Sequence, residues 1–355
     1  MAFSAFDHPV LGALLGDDEA ARYFSLDADI RAMLAFEAGL AQAQAIVGLI
    51  PVDAAEAIGD ACADFAPDVA GLAEGAARDG VVVPALIKQL RARVGEHAAH
   101  VHRGATSQDV IDTSLALRLK PIVTLFEARL LGLIETLKAL EIRDGMIPLM
   151  GRTRMQRALP ILASDKLRGW TDPLGRHVTR LAALKPRLLV VQFGGAVGVR
   201  GDVEGKGDRV AAELSWRLEL ADGPSWQVER DSVAEFAAWL ALVAGSLGKI
   251  GQDIALMAQN EIGEVKLAAG GASSAMPHKS NPVLAEVLVT LARFSAGMLG
   301  THYQAMVHEN ERSGAAWTLE WLTLPQMVAA TGASLRHATT LCEGLRFVEV
   351  TKKPV

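Results

Sequence analysis

The sequence predicts an all-α protein: a small N-terminal helical domain over residues 1–112, a bundle of long helices over 113–345, and a short tail over 346–355. Three observations lead there. Apolar residues fall at Val233, Phe236, Leu240, Val243, Leu247, Ile250, Ile254 and Met257, in steps of three and four without a miss, which is the seam of a long bundled helix. Half of the residues are hydrophobic and only 5% aromatic, with Ala and Leu prominent. Period-two alternation, the mark of strands, is almost absent.

Taken in order, the first 112 residues hold shorter helical patterns, Asp29 to Val47 and Ala54 to Phe65, interrupted by Pro51, Pro67 and Pro84. A long seam then runs through Leu115, Leu119, Ile122, Phe126, Leu130, Leu133, Leu137 and Leu140. The run "RLLVVQF" (Arg187 to Phe193) reads as a short strand, and a glycine-rich loop, "GGAVGVRGDVEGKG", follows it. The segment from Asp231 to Glu264 carries the first seam and starts at Asp231 or Ser232, either of which can cap it. A last seam uses Leu284, Val287, Leu291, Phe294 and Met298, with Asn281-Pro282 supplying a cap and a first-turn proline. The opposite faces are rich in Ala and Gly, as in "AWLALVAGSLG". Helices apolar nearly all round are buried, either in a large bundle or in an oligomer.

Bulk properties exclude several classes. A net charge of -6 without a long basic run argues against nucleic acid as a partner, while leaving room for a local basic patch that meets a small anion. Cys62 and Cys342 show no motif spacing, so neither a disulfide framework nor a structural zinc site is expected. The opening residues lack a basic region before an apolar run, and the longest uncharged apolar stretch, Phe236 to Gly248, is shorter than the ~20 residues of a membrane helix. No membrane partner and a cytoplasmic location are the expectations.

Four stretches carry candidate chemistry. In "HRGATSQDVIDT", His102, Thr106, Ser107, Gln108 and Asp109 form a polar knot just before a helix; hydroxyls and amides there suit a carboxylate or phosphate, and a plain N-cap is the alternative. In "GRTRMQRALP", Arg152, Arg154 and Arg157 sit beside Thr153 and Gln156; arginine forks bind carboxylates, and a solvated basic turn is the alternative. "HAAHVH" has a spacing at which His97, His100 and His102 can meet a metal, but no carboxylate or cysteine ligand set accompanies it. In "GGASSAMPHKSNP", Gly270 and Gly271 read as a mobile loop, Lys279 can neutralise a carboxylate, Asn281 can hydrogen-bond it, and Ser273 or Ser274 can move a proton if activated.

The last of these resembles the signature loop of the fumarase/aspartase superfamily, "HRGATSQDVIDT" resembles its first motif and "GRTRMQRALP" its second, in matching order and spacing. The resemblance runs from "RAMLAFEAGLAQAQAIVGLIP" to about Gln326. It implies a homotetramer around a central bundle of long helices, with each active site built from three chains that contribute one motif each. It further implies a small polycarboxylate substrate, no metal or organic cofactor, Ser273 as the group that moves the proton alpha to a carboxylate with Ser274 as its fallback, and Lys279 as a charge-stabilising catalytic group. His102, Thr106, Ser107, Thr153, Arg154, Gln156 and Asn281 become substrate-binding candidates. The usual C-terminal third domain of such proteins is largely absent on this reading. "HENERSGAAWTLEW" resembles the 3-carboxy-cis,cis-muconate cycloisomerase branch, with the Trp317 and Trp321 pair its most telling detail; a core contact is the alternative for that pair. Lyases of the adenylosuccinate or argininosuccinate type are the rival, although "ARDGVVVPAL" lacks the histidine that adenylosuccinate lyases place there. Arg154 stands where most of the superfamily has His, and arginine cannot shuttle protons near neutral pH. A non-catalytic scaffold descended from such an enzyme is the third reading.

Overall fold

In the computed structural model, which describes residues 4–200, 203–268, 271–272 and 280–349, the seams read from the sequence become the interior. Each apolar residue named from Val233 to Met257 is buried, and so is each one named from Leu119 to Leu140. Among the described residues the elements are, in order, α1 (Gly12–Leu15), α2 (Asp18–Ala21), α3 (Leu26–Ile46), α4 (Val52–Ala63), α5 (Val69–Asp79), α6 (Val83–Val94), α7 (Ser107–Asp144), β1 (Pro148–Thr153), β2 (Gln156–Leu162), α8 (Ala163–Leu188), α9 (Gly207–Leu218), α10 (Asp231–Met257), β3 (Val265–Leu267), β4 (Gly271–Ala272), β5 (Ser280–Asn281), α11 (Val283–Tyr303), α12 (Gly314–Glu343) and β6 (Leu345–Phe347).

The long bundle consists of α7, α8, α10, α11 and α12, with α10 packed on α8, α11 and α12, and α7 packed on α8 and α12. Side-chain bonds give the directions. Trp317, early in α12, and Arg230, just ahead of α10, both reach Asp112 near the start of α7. Arg143, near the end of α7, donates to the Leu345 carbonyl just past α12. Hence α7, α10 and α12 run parallel, while α8 and α11 return. A second core, around Phe36, Leu40, Ile58, Leu86, Leu90, Phe193 and Leu214, holds α3, α4, α6 and α9 together. α7 enters both cores without a break: Val110, Ile111 and Ala116 belong to the smaller one, and Leu119 onward to the larger.

α10 and α11 touch through glycines. A Cβ on Gly248 would lie 2.5 Å from Ala292 Cβ, and one on Gly251 would lie 2.5 Å from the Ala285 carbonyl oxygen. By length and hydropathy alone, Asp231–Met257 and Val283–Met306 are each long and apolar enough to cross a membrane. The most apolar window of the first is 61% buried, so α10 is a core helix, whereas only 28% of that of the second is buried, and the exposed positions of α11 as far as Gly300 are Glu286, Thr290, Arg293, Ala296, Gly297 and Gly300.

Several features differ from the sequence reading: α10 and α11 begin without a side-chain cap, their N-cap positions being Arg230 and Pro282 rather than Asp231, Ser232 or Asn281. "RLLVVQF" is not a strand: α8 runs to Leu188, because Leu181, Leu184 and Leu188 continue its buried seam. Beyond it, Val190 makes only an isolated parallel bridge to Ala221. The second motif, conversely, is an antiparallel hairpin, β1 on β2, with a bulge between Met150 and Arg152. Its turn places Arg154 and Met155 at φ 48° and 66°, the left-handed pair that a two-residue hairpin turn requires.

Candidate active site

The first motif opens α7. Thr106 is the N-cap and Ser107 the first helical residue. Asp109 reaches back to accept from the Thr106 amide at 2.9 Å, which satisfies one of the free N–H groups of a helix start. The same carboxylate accepts from Gln192 Nε2 at 2.9 Å and from the amides of Gly194 and Gly195 at 2.8 and 3.0 Å. Burial pushes the Asp109 pKa up to about 6 despite those four donors. Gln192 is a hub in turn: its backbone exchanges two bonds with Thr113 Oγ1, each 2.9 Å, and its side-chain oxygen accepts from the Trp226 amide at 2.7 Å. The glycine-rich segment is thereby tied to the floor of the first motif. Arg312, from the stretch before α12, donates to Thr106 Oγ1 at 2.7 Å and to the Ala196 carbonyl at 3.2 Å.

His102 precedes the cap in the left-handed region, φ 65°. Its Nδ1 lies 2.6 Å from Glu37 Oε1 on α3. A cleft of about 380 Å³ opens beside them, lined by Val83, Pro84, Ile87, Lys88, Arg91, His102 and Ser107. Lys88 and Arg91 are three residues apart on α6 and so share a face. Arg91 also donates to the Val101 carbonyl at 3.0 Å. Two permanent cations, a histidine and a hydroxyl around one cleft make a receptor for a small polyanion.

Further along α7, at Asp112, lies a buried charge cluster. Arg230 donates to Asp112 at 2.6 and 3.1 Å and to Glu320 at 2.9 and 2.5 Å. Burial pushes the Arg230 pKa down, but the two carboxylates more than offset it and the net direction is up. Asp112 also accepts from Gln108 Nε2 and from the Trp317 indole, both at 3.1 Å. Trp317 is thus a core residue, 3% exposed, and its edge-on partner Trp321, 4.9 Å between ring centroids, is 37% exposed.

The other candidates stand elsewhere. Thr153, Arg154 and Gln156 are exposed at the tip of the β1–β2 hairpin, where Thr153 pairs with Gln156. The base of that hairpin is fixed by Glu264, which accepts from the Met150 amide at 3.2 Å and from Arg152 at 2.8 Å. Ser273, Ser274 and Lys279 lie outside the described residues. Asn281 is half-buried opposite Gly271 in the ladder of β4 and β5 that brackets them. A Cβ on Gly271 would come 2.5 Å from Val283 Cγ2, so a larger residue there would have to displace that side chain. The strand ahead of this ladder, β3, pairs with β6, whose Phe347 amide donates to Asp144 at the end of α7. The second and third motifs therefore emerge at one end of α7 and the first at the other. Over the 38 residues of Ser107–Asp144 these ends are roughly 55 Å apart at ~1.5 Å per residue. A strand of six residues folded back along the helix recovers only ~20 Å of this. Within the single chain, the first motif and the described ends of the other two thus stand far apart.

Glu37, Lys88, Arg91, Gln192 and Arg312 were not singled out in the sequence. The one available signal was Glu37, a carboxylate in the otherwise apolar face of "AMLAFEAGLAQA". Among the described residues, no three His, Cys, Asp or Glu side chains converge closely enough to hold a metal ion.

A family model described as "Lyase" matches residues 17–295. The 3-carboxy-cis,cis-muconate cycloisomerase of Pseudomonas aeruginosa is 43% identical over 330 residues, 91% of this chain and 72% of that protein. The N-acetyl-S-(2-succino)cysteine lyase of Enterococcus italicus is 35% identical over 91% of this chain and 72% of its own length. Among solved structures, the 3-carboxy-cis,cis-muconate lactonizing enzyme from Pseudomonas putida superposes with a TM-score of 0.90 at 40% identity, covering 96% of this chain and 78% of that one.

Proposed function

The chain belongs to the lyase family of the fumarase/aspartase superfamily and is an enzyme of that superfamily; on that premise we propose that it is a cytoplasmic 3-carboxy-cis,cis-muconate cycloisomerase, a homotetramer that lactonises its substrate to 4-carboxymuconolactone in protocatechuate breakdown. The observation that carries the substrate class is the cleft in which Lys88, Arg91, His102 and Ser107 converge. The names of the relatives support the particular polycarboxylate.

The acid forms of substrate and lactone are isomers; written for the ionised substrate, the carboxylate that adds carries no proton, so one proton is taken up from solvent and ends on the alpha carbon. One substrate carboxylate oxygen adds to a chain double bond, and the electron pair displaced moves onto the carbon alpha to another carboxylate. That carboxylate becomes an aci-carboxylate, a dianion, and a proton delivered to the alpha carbon completes the lactone. Ser273 moves that proton, with Ser274 as its fallback. Lys279, Asn281, Thr153 and the amides near Thr106 and Ser107 stabilise the dianion by donors aimed where charge develops. Arg154 and Gln156 bind a carboxylate from a neighbouring chain's hairpin, and His102 binds another. Since addition is intramolecular, the pocket acts chiefly by folding the substrate into its reactive shape. No metal or organic cofactor takes part in this scheme.

The separation of the motifs along α7 supports a site shared between subunits. Purified protein is expected to remove the ultraviolet absorbance of carboxymuconate and to leave adenylosuccinate unchanged. Ser273→Ala is expected to lose at least about a hundredfold in rate. Turnover of adenylosuccinate instead would give the elimination reading, and turnover of neither would give the non-catalytic scaffold.

A further inference from the structure

Glu37 is placed where a carboxylate is expensive. It is 1% exposed on α3, within the core that contains Phe36 and Leu40. One oxygen, Oε1, faces His102 Nδ1 at 2.6 Å; the other, Oε2, is buried and has no hydrogen-bond partner among the described residues. A buried carboxylate persists when a cation faces it. Here the group facing it is an imidazole, held there by a backbone conformation that residues with a Cβ seldom adopt, φ 65°. The second ring nitrogen, Nε2, makes no hydrogen bond within the described residues, and the ring lines the cleft with Lys88, Arg91 and Ser107.

We propose that Glu37 is a positioning residue: it holds His102 as an imidazolium, with Nδ1–H fixed on the Glu37 carboxylate and Nε2–H presented to a carboxylate of the substrate. The inference rests on the polycarboxylate reading of the cleft and adds to it how the cleft acquires its third cation. Three charged groups act on this ring. Burial, the largest influence, pushes its pKa down; the charge of Glu37 from α3 and the hydrogen bond to it push it up, as does Asp109 from α7, and Arg91 from α6 opposes them. The net direction is upward. Lys88 also lines the cleft. Without Glu37, burial and Arg91 would leave a neutral ring near pH 7, able to donate from one nitrogen only.

The test uses the full chain and a non-reacting tricarboxylate, tricarballylate, titrated by calorimetry between pH 5 and 9. In the wild type, binding is present at low pH and lost as pH rises through the His102 midpoint, which is expected above the ordinary histidine value of about 6.5. Glu37→Gln keeps the shape and an acceptor but removes the charge. Its midpoint is expected to fall, with roughly tenfold weaker binding between the two midpoints. KM for carboxymuconate should rise with kcat within about threefold, the pattern of lost ground-state binding. Glu37→Asp, which restores the charge on a shorter stem, should recover part of the midpoint. An unchanged midpoint in Glu37→Gln overturns the proposal. If that variant does not fold, His102→Gln decides the matter, because it should abolish the midpoint, and a retained one overturns the proposal equally. A wild-type midpoint at or below about 6.5 does the same. Since tricarballylate reports binding without turnover, a moved midpoint in a protein inert towards carboxymuconate would sink the substrate assignment and leave Glu37 in place.

Discussion

Mixing two inactive variants should restore activity. One variant strips the cleft at the start of α7, Lys88→Ala with His102→Ala; the other is Ser273→Ala in the third motif. Their separation within one chain follows from α7: 37 steps from Ser107 to Asp144 make roughly 55 Å, far beyond the span of one substrate's hydrogen bonds. If each pocket draws its first motif from one subunit and its third from another, random assembly of equal amounts leaves both parts intact in one half times one half of the pockets. The mixture, unfolded and refolded together or co-expressed, should then show about 25% of wild-type turnover, against about 1% or less for Ser273→Ala alone. The assay is the loss of carboxymuconate absorbance, normalised to folded protein. A mixture no more active than the sum of its parents would refute the shared pocket, because motifs from one chain cannot complement each other.

The remaining predictions concern stability and are read by urea or thermal melts. Arg230→Met leaves Asp112 and Glu320 buried against each other without their cation, and should cost about 3–5 kcal/mol; a loss under about 1 kcal/mol would contradict the cluster. Gly251→Ala drives a methyl to 2.5 Å from the Ala285 carbonyl oxygen and should destabilise by about 1–3 kcal/mol, while the same change at Gly132, where a Cβ meets nothing within 4 Å, should not. Acid should weaken the fold. Burial, with nearby arginines, holds both His177 and His302 down at about 4. Below about 6.5 the unfolded chain takes up these protons and the folded chain does not, so stability falls as pH drops towards 4, by up to about 3 kcal/mol per histidine. Asp109, raised to about 6, has the opposite sign over much of that window and offsets one of the two. Stability that stays level or rises between pH 7 and 4.5 would contradict this assignment.

The heptad seams were legible because a three-four repeat has one physical solution, a helix with a buried stripe, and every named residue of α10 lies in it. The hairpin of the second motif was not legible. Residues 153–160 are exposed on both faces, so the alternation that marks a strand never forms. "RLLVVQF" misled for the complementary reason: Leu188 ends a helical seam, while Val191 and Phe193 fill the smaller core, and three apolar side chains from different contexts imitate a strand. At the site, the hydroxyls of Thr106 and Ser107 could be found from their place before a helix, whereas Lys88 and Arg91 look like any solvated helix face until the fold sets them beside His102. Glu37 and His102 are 65 residues apart, and no local pattern links them.

The Arg230 cluster constrains more than one moment of the molecule's life. Three helices borrow their mutual alignment from a single guanidinium, and the Trp317 indole draws on the same aspartate. Any one of these positions altered by itself strands charge in a dry interior, so descendants of this chain can leave the arrangement only by exchanging several of its members together. Across divergent relatives, residues 112, 230 and 320 should accordingly be inherited as a block, changing in concert or not at all.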